Sequence, residues 1–253
     1  MPNQSKSASK RQEIRAKRRK REQQQRLYIL IGIIGAALLL ILIIAIPYYR
    51  QATAPVEEFV RITPQSRPME KGTSLGDPNA KVKVDVFEDF RCPGCKSYTE
   101  RIEPLLIEEF VQNGKVLYTY RQHPFLDDNS SSKDSDHAAS GSMCAAEQNR
   151  FWDYHNLLYT NQTSESVQYN NKKLIAFAES LGLDTKAFSA CLDENRYQNL
   201  IDEDLALGKE WNVTATPTIF VNGQVVESGA PNQIPTYDQI KAAIEAALVT
   251  SGN

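Results

Sequence analysis

Hydrophobic positions between residues 73 and 248 change repeatedly from a period of two to a period near four. Valines alternate with polar residues in Val82-Lys83-Val84-Asp85-Val86, which predicts a β-strand over 81–87. Apolar residues then recur at gaps of three and four, which predicts a helix that runs to about Val111. Pro104 lies inside this helix and is expected to kink it, and Asn113-Gly114 marks its end.

The later pattern predicts a second strand, a long helical block, a hairpin and a final helix. Helical spacing continues through Cys144–Tyr159, and Gly182 and Asp184 are expected to end one helix and begin the next. The predicted elements are a strand over 116–120, a loop over 127–132, helices within 126–211, strands over 218–221 and 224–226 joined by Asn222-Gly223, and a helix over 237–248. This order of β-α-β, helices and β-β-α predicts an α/β fold with a right-handed parallel βαβ unit.

Residues 27–46 form an unbroken uncharged stretch, long enough as a helix to cross a bilayer. A cleaved signal peptide has a shorter apolar core, although Ala52-Thr53-Ala54 imitates a cleavage site. The segment before it, residues 1–26, has a charge of +8, so the remaining chain is −10 for the net charge of −2. By the positive-inside rule we expect this tail to be cytoplasmic, which is favoured over a nucleic-acid-binding tail.

These features divide the chain into four parts. We predict a basic cytoplasmic tail over 1–26, a single transmembrane helix over 27–47, a proline-rich linker over 48–72, and one folded domain over 73–253. The domain is then extracytoplasmic and attached to the cell membrane. Disulfides persist in such a compartment, and all four cysteines lie on that side.

The candidate chemistry is the sequence Cys92-Pro93-Gly94-Cys95, placed between the first strand and the first helix. At a helix N-terminus, free backbone N–H groups and the helix dipole favour an anion, so the pKa of Cys92 is expected to be low. Pro93 suits the first helical position, where its missing N–H has no partner to lose. The motif therefore predicts a redox-active dithiol.

This chain resembles the thioredoxin superfamily, and in particular its DsbA-like thiol–disulfide oxidoreductases. The resemblance covers about 73–248 and is carried by three features: Phe87 to Cys95 after a strand, Thr214-Ala215-Thr216-Pro217-Thr218 before a hairpin, and a helical insertion over about 127–210. It implies a thioredoxin fold in which Pro217 is cis and lies against the sulfurs. Thr216 and Pro217 would then present backbone to a substrate peptide. The alternative is an ordinary proline at a strand edge.

By the same resemblance, Cys92 is the nucleophile and Cys95 the buried resolving thiol. The implied function is to introduce disulfides into exported proteins that carry free thiols. The implied reoxidant is a quinone-linked membrane protein of the DsbB or vitamin-K-epoxide-reductase type. A reductase or isomerase on the same fold, or a metal-binding or chaperone module, remains an alternative.

The chain departs from the strongly oxidising members at two places. They have Pro-His between the cysteines, whereas this chain has Pro93-Gly94, and Arg91 is a candidate to supply the missing positive charge. The buried acid that such enzymes often carry six residues before the first cysteine is replaced by Val86. Glu88 or Asp89 would then relay protons to Cys95, or both would be solvated loop charges.

Cys144 and Cys191 lie in the helical insertion. By the resemblance they are candidates for a structural disulfide, and two buried free thiols are the alternative. The spacing of the cysteines does not match the paired close ligands of a structural metal site, and His123, His137 and His155 show no ligand pattern. We expect no metal, no cofactor and no nucleic-acid partner.

Overall fold

The computed structural model describes residues 4–53, 58–127, 133–163, 169–230 and 233–252. The chain divides into two units, Met1–Pro55 and Val56–Asn253. The first consists of helix α1, Gln4–Thr53. Within it, Lys17–Pro47 is long and apolar enough to cross a membrane by length and composition, with a mean hydropathy of 3.3 in its most apolar window. This stretch includes the predicted span over 27–47.

The second unit is built around a five-stranded mixed sheet in the order β1-β3-β2-β4-β5. Its strands are β1 Ser74–Leu75, β2 Val82–Glu88, β3 Val116–Gln122, β4 Thr218–Val221 and β5 Gln224–Val225. The central strand β2 pairs in parallel with β3 and antiparallel with β4. The parallel βαβ unit is therefore confirmed, while the two-residue strand β1 was too short to give a sequence pattern.

The turn between β4 and β5 follows from its two residues. Asn222 has φ 49° and Gly223 has φ 74°, the left-handed conformations that a two-residue hairpin turn with matching twist requires. The strands on either side pair antiparallel, with Val221 opposite Gln224. The hairpin predicted from Asn222-Gly223 is confirmed.

Helices cover the sheet and form the insertion. They are α2 Pro93–Arg101, α3 Glu103–Leu106 with a π-helical turn at Ile107–Val111, α4 Asp134–Glu147, α5 Phe151–Thr160, α6 Asn171–Ser180, α7 Thr185–Asp193, α8 Gln198–Glu210 and α9 Tyr237–Thr250; a 3-10 turn covers Phe125–Asp127. The interruption at Ile102 between α2 and α3 lies two residues before Pro104, where a kink was expected.

The helical insertion differs from the predicted pattern at one point. The spacing through Cys144–Tyr159 predicted one continuous helix, and this was wrong, because the chain turns at Asn149, which has φ 57°. Asp184 does cap α7 by accepting bonds from the N–H groups of Lys186 and Ala187. A disulfide joins Cys144 of α4 to Cys191 of α7. Of the predicted loop over 127–132, residues 128–132 lie outside the described residues.

Residues 58–70, which we call the strap, lie against the domain. Val60 exchanges two hydrogen bonds of 2.8 Å with the side chain of Asn161, one through its N–H and one through its carbonyl. Arg67 donates to Asn156 of α5 at 3.0 Å. The predicted linker over 48–72 is thus partly helix α1, which continues to Thr53, and partly this docked strap.

Candidate active site

Cys92 stands at the start of α2, where strand β2 and its following loop deliver it to the N-terminus of the helix. Its backbone is extended, with φ −75° and ψ 120°, and Pro93 occupies the first turn of the helix. The thiol is 8% exposed. The pKa of Cys92 is lowered to about 6, chiefly by a hydrogen bond from the Cys95 thiol, with help from the backbone N–H groups of Gly94 and Cys95 and against the effect of burial.

Cys95 has the opposite character. It is fully buried, and burial raises the pKa of its thiol well above the usual range, as do its hydrogen bond to Cys92 and the nearby carboxylate of Glu88. Both thiols are free in this structure. The pair therefore contains one nearly buried sulfur that ionises easily and one fully buried sulfur that holds its proton.

The loop before β4 lies directly against the first of these sulfurs. The peptide bond between Thr216 and Pro217 is cis. The Cys92 thiol donates a hydrogen bond of 3.2 Å to the carbonyl oxygen of Thr216. A Cβ atom added at Gly94 would lie 3.3 Å from Cδ of Pro217 and 3.4 Å from the same carbonyl oxygen. The absence of a side chain at Gly94 thus permits this close approach of loop and helix.

A glutamine that the sequence did not single out holds the active-site loop. Nε2 of Gln162 donates to the carbonyl oxygens of Phe90 at 2.7 Å and Cys92 at 3.1 Å. Nζ of Lys96 in turn donates to the carbonyl oxygens of Tyr159 and Gln162, at 2.8 and 3.0 Å. The end of α5 is therefore tied to both sides of the Cys92 turn. No local sequence pattern marks Gln162 for this task.

Glu88 and Asp89 are both buried, with 0% and 2% exposure, so neither is a solvated loop charge. Burial raises the pKa of Glu88 well above its usual range, and its Oε2 accepts a bond of 3.3 Å from the Tyr159 hydroxyl. Asp89 instead accepts backbone N–H bonds from Arg91 and Leu126 through its two oxygens. Asp89 thus shapes the loop, while Glu88 is the acid that electrostatically affects Cys95.

The guanidinium group of Arg91, which was expected to act on Cys92, is paired with Asp127. Its Nη1 donates to Oδ1 of Asp127 at 2.9 Å, and both side chains are buried. This pairing offsets the positive charge that was expected to stabilise the thiolate. Val86, at the position where related enzymes often have an acid, is fully buried in β2.

A low-pKa cysteine at a helix start, a buried partner thiol three residues later, and a cis-proline loop against the first sulfur define a thiol–disulfide oxidoreductase of the thioredoxin fold. A family model described as thioredoxin matches residues 69–246. The chain belongs to this family and is a thiol–disulfide oxidoreductase.

Comparison with related proteins supports this assignment. The probable disulfide bond formation protein D of Bacillus anthracis is 28% identical over 180 residues, which are 69% of this chain and 77% of that protein. The structure of oxidised BdbD from Bacillus subtilis is similar with a TM-score of 0.62 and 28% identity, over 76% of this chain and all of that one. DsbA of Chlamydia trachomatis shares the fold, with a TM-score of 0.58 and 22% identity over 79% of this chain and all of that one.

Proposed function

We propose that this protein introduces disulfides into exported proteins through Cys92 and Cys95. The observation that carries the proposal is the position of Cys92 at the start of α2 and 3.2 Å from the carbonyl oxygen of Thr216 in the cis-proline loop, where the pKa of the thiol is lowered to about 6. A stabilised thiolate favours the reduced enzyme, so the oxidised enzyme readily gives its disulfide away. The relatives named as disulfide bond formation proteins support the same direction.

The reaction takes two electrons from a pair of substrate thiols. A substrate thiolate attacks the Cys92 sulfur of the oxidised enzyme, which forms a mixed disulfide and releases Cys95 as a thiolate that takes up a proton. The second substrate thiolate then attacks the substrate sulfur and expels Cys92. A thiolate of low pKa is a good leaving group, so this second step is favoured.

Substrate recognition is proposed to use the loop at Thr216 and Pro217. An extended peptide would add as a strand beside Thr216, whose carbonyl oxygen lies 3.2 Å from the Cys92 sulfur. A cavity of about 450 Å³ continues from this loop and is lined by Thr214 to Ile219, Val225 to Ser228, Ala230 and 233–235. Main-chain pairing of this kind suits an enzyme that accepts many different sequences.

Glu88 is proposed to exchange the proton that Cys95 gains and loses. The residue is fully buried, and its charge acts on both cysteines of the pair. If this role is right, Glu88→Gln will change how the rate of thiol exchange depends on pH. Unchanged rates across the pH range would rule the role out.

We further propose that residues 27–47 anchor the enzyme, with residues 1–26 in the cytoplasm and the catalytic domain outside. The uncharged residues 27–46, which lie within the candidate span Lys17–Pro47, and the +8 charge of residues 1–26 support this topology. Each turnover leaves the enzyme reduced, so a membrane partner must remove two electrons. A quinone-linked reoxidant of the DsbB or vitamin-K-epoxide-reductase type would meet that need.

The proposal can be tested with the full chain in detergent micelles. The oxidised enzyme is mixed with a reduced peptide that carries two cysteines, and the peptide disulfide is measured by mass. Stoichiometric formation of the peptide disulfide that is lost in Cys92→Ser supports an oxidant. In a separate reaction with a peptide that carries an activated thiol, Cys95→Ser should accumulate the mixed disulfide between Cys92 and the peptide. Net reduction of an oxidised peptide in a glutathione buffer set to the redox potential of the extracytoplasmic compartment would favour the reductase alternative.

A further inference from the structure

Three acceptor atoms converge behind the dithiol. A carboxylate oxygen of Glu88 on β2, a carboxylate oxygen of Glu103 on α3 and a ring nitrogen of His155 on α5 lie within 4.8 Å of one another. Oε2 of Glu103 is 3.7 Å from Nε2 of His155. All three side chains are at most 1% exposed, and Oε1 of Glu88, Oε2 of Glu103 and Nε2 of His155 have no hydrogen-bond partner among the described residues.

The neighbours of His155 fix which of its nitrogens is protonated. Nη2 of Arg67 donates to Oδ1 of Asn156 at 3.0 Å, and since a guanidinium only donates, that Asn156 atom is the acceptor oxygen. Nδ1 of His155 lies 3.1 Å from the same oxygen and must therefore carry the proton. Burial keeps the ring neutral, because it lowers the pKa of His155 to about 3. The lone pair of Nε2 consequently points at the two carboxyl groups.

Each carboxyl group is also held by its other oxygen. Nη1 of Arg67 donates to Oε1 of Glu103 at 3.4 Å, and the Tyr159 hydroxyl donates to Oε2 of Glu88 at 3.3 Å. Such outer contacts orient the ligands in metal sites, where a ligating histidine commonly donates its second N–H to an oxygen. Three oriented, buried acceptors of this kind are suited to bind a cation.

We propose that Glu88, Glu103 and His155 form a binding site for a divalent transition-metal ion of the zinc class. One imidazole nitrogen and two carboxylate oxygens suit Zn²⁺ and its first-row neighbours better than Ca²⁺ or Mg²⁺. With ligand bonds of about 2.0–2.2 Å, two ligands of a tetrahedral zinc lie about 3.4 Å apart, close to the 3.7 Å between Glu103 and His155. Arg67 already pairs with Glu103, so the two carboxylates offset part of the charge of the ion.

A cavity of about 410 Å³ lies near the site. It is lined by residues next to two of the ligands, Pro104 beside Glu103 and Asn156 beside His155, and by Tyr159. The strap forms part of its wall through Ile62, Thr63 and Gln65.

The test uses the oxidised full chain in detergent micelles, so that the Cys92–Cys95 pair, itself a possible zinc ligand, is closed. We expect Zn²⁺ titration calorimetry and metal analysis after dialysis to give one ion per chain. Glu103→Gln, which keeps the shape of the side chain, should weaken binding at least tenfold, while Glu108→Gln at an exposed position of the π-helical turn should not. Binding that is absent, or equal in Glu103→Gln, would overturn the proposal.

Cobalt binding to the wild-type chain provides a second readout, which does not depend on whether a variant folds. Co²⁺ bound to the oxidised wild-type chain should show the visible bands of nitrogen and oxygen ligation without a sulfur charge-transfer band. The absence of such bands at saturating Co²⁺ would also overturn the site. Neither readout involves thiol exchange, so the site and the proposed oxidase function can fail independently.

Discussion

The Cys92 thiol lies 3.2 Å from the carbonyl oxygen of Thr216, a residue 124 positions further along the chain. The contact joins the start of α2, the helix that follows strand β2, to the loop before β4, the strand that pairs with β2. A substrate strand paired at Thr216 would therefore bring its own cysteine to the sulfur it must attack. The geometry of this one contact links substrate binding to the redox chemistry.

The first prediction concerns the pH dependence of Cys92. Since its pKa is lowered to about 6, alkylation of the reduced enzyme by iodoacetamide should reach half its maximal rate near pH 6, with Cys95 unmodified. A midpoint between pH 8 and 9, the value of a free thiol, would contradict this expectation. The Cys92→Ser variant supplies the background rate.

The same shift predicts how the stability of the reduced enzyme depends on pH. A thiol whose pKa is lower in the folded state stabilises that state fully above the unfolded pKa, and this contribution disappears as pH falls through about 6. The reduced enzyme should therefore gain stability relative to Cys92→Ser between pH 6 and 9 in urea unfolding. If the free energies of unfolding of the two proteins change in parallel with pH, a stabilised thiolate is excluded.

Gly94 is predicted to be required for the close approach of loop and helix. The added methyl group of Gly94→Ala would lie 3.3–3.4 Å from Pro217 and Thr216, so the loop must move by a few tenths of an ångström. We expect slower exchange with a peptide disulfide, by about threefold to tenfold, and a Cys92 alkylation midpoint that stays near pH 6. Ser97→Ala, further along α2, is the matched control and should leave the exchange rate unchanged.

Gln162 is predicted to stabilise the active-site loop. Gln162→Ala leaves the carbonyl oxygens of Phe90 and Cys92 without this donor, and the loss of buried hydrogen bonds costs about 1–3 kcal/mol. The free energy of unfolding in urea should fall by this amount. Gln198→Ala removes a half-buried glutamine of α8 whose hydrogen bond to Asp202 is exposed, and should change the free energy of unfolding by much less. Equal effects of the two substitutions would show that Gln162 has no special role.

The disulfide between Cys144 and Cys191 is predicted to be structural. It closes a loop with a sequence separation of 47, for which chain entropy gives a stabilisation of about 4 kcal/mol. The double variant Cys144→Ala, Cys191→Ala should unfold at markedly lower urea concentration and retain its exchange rate per folded molecule. A loss of exchange in the folded double variant would instead make this pair part of the redox path.

Cys92, Cys95 and Pro217 were predictable because a short motif marks each of them and the strands beside them have clear patterns. The fold followed from the same signals, since β2, β3 and the hairpin at Asn222 carry periodicity and turn residues that act locally. The break at Asn149 was missed, because apolar spacing alone continues across a single residue in a left-handed conformation.

Other parts of the site arise only when distant segments pack together. Gln162 reaches Phe90 and Cys92 from the end of α5, and the acceptors of Glu103 and His155 meet Glu88 from two separate helices. No spacing in the sequence encodes these contacts. The partner of Arg91 was equally invisible, since Asp127 follows it by 36 residues. The hydrogen bonds and packing of the fold, which sequence position does not reveal, decide that Glu88 and not Asp89 is the acid that acts on Cys95.

The most direct test of the central claim is the reduction potential of the Cys92–Cys95 pair, measured on the full chain in detergent micelles by equilibration in glutathione buffers. Thioredoxin lies near about −270 mV and DsbA near about −120 mV. The Cys92 pKa of about 6 lies between about 7 for thioredoxin and about 3.5 for DsbA, so we expect a potential above that of thioredoxin and below that of DsbA. A value near that of thioredoxin would contradict the account and identify a reductase.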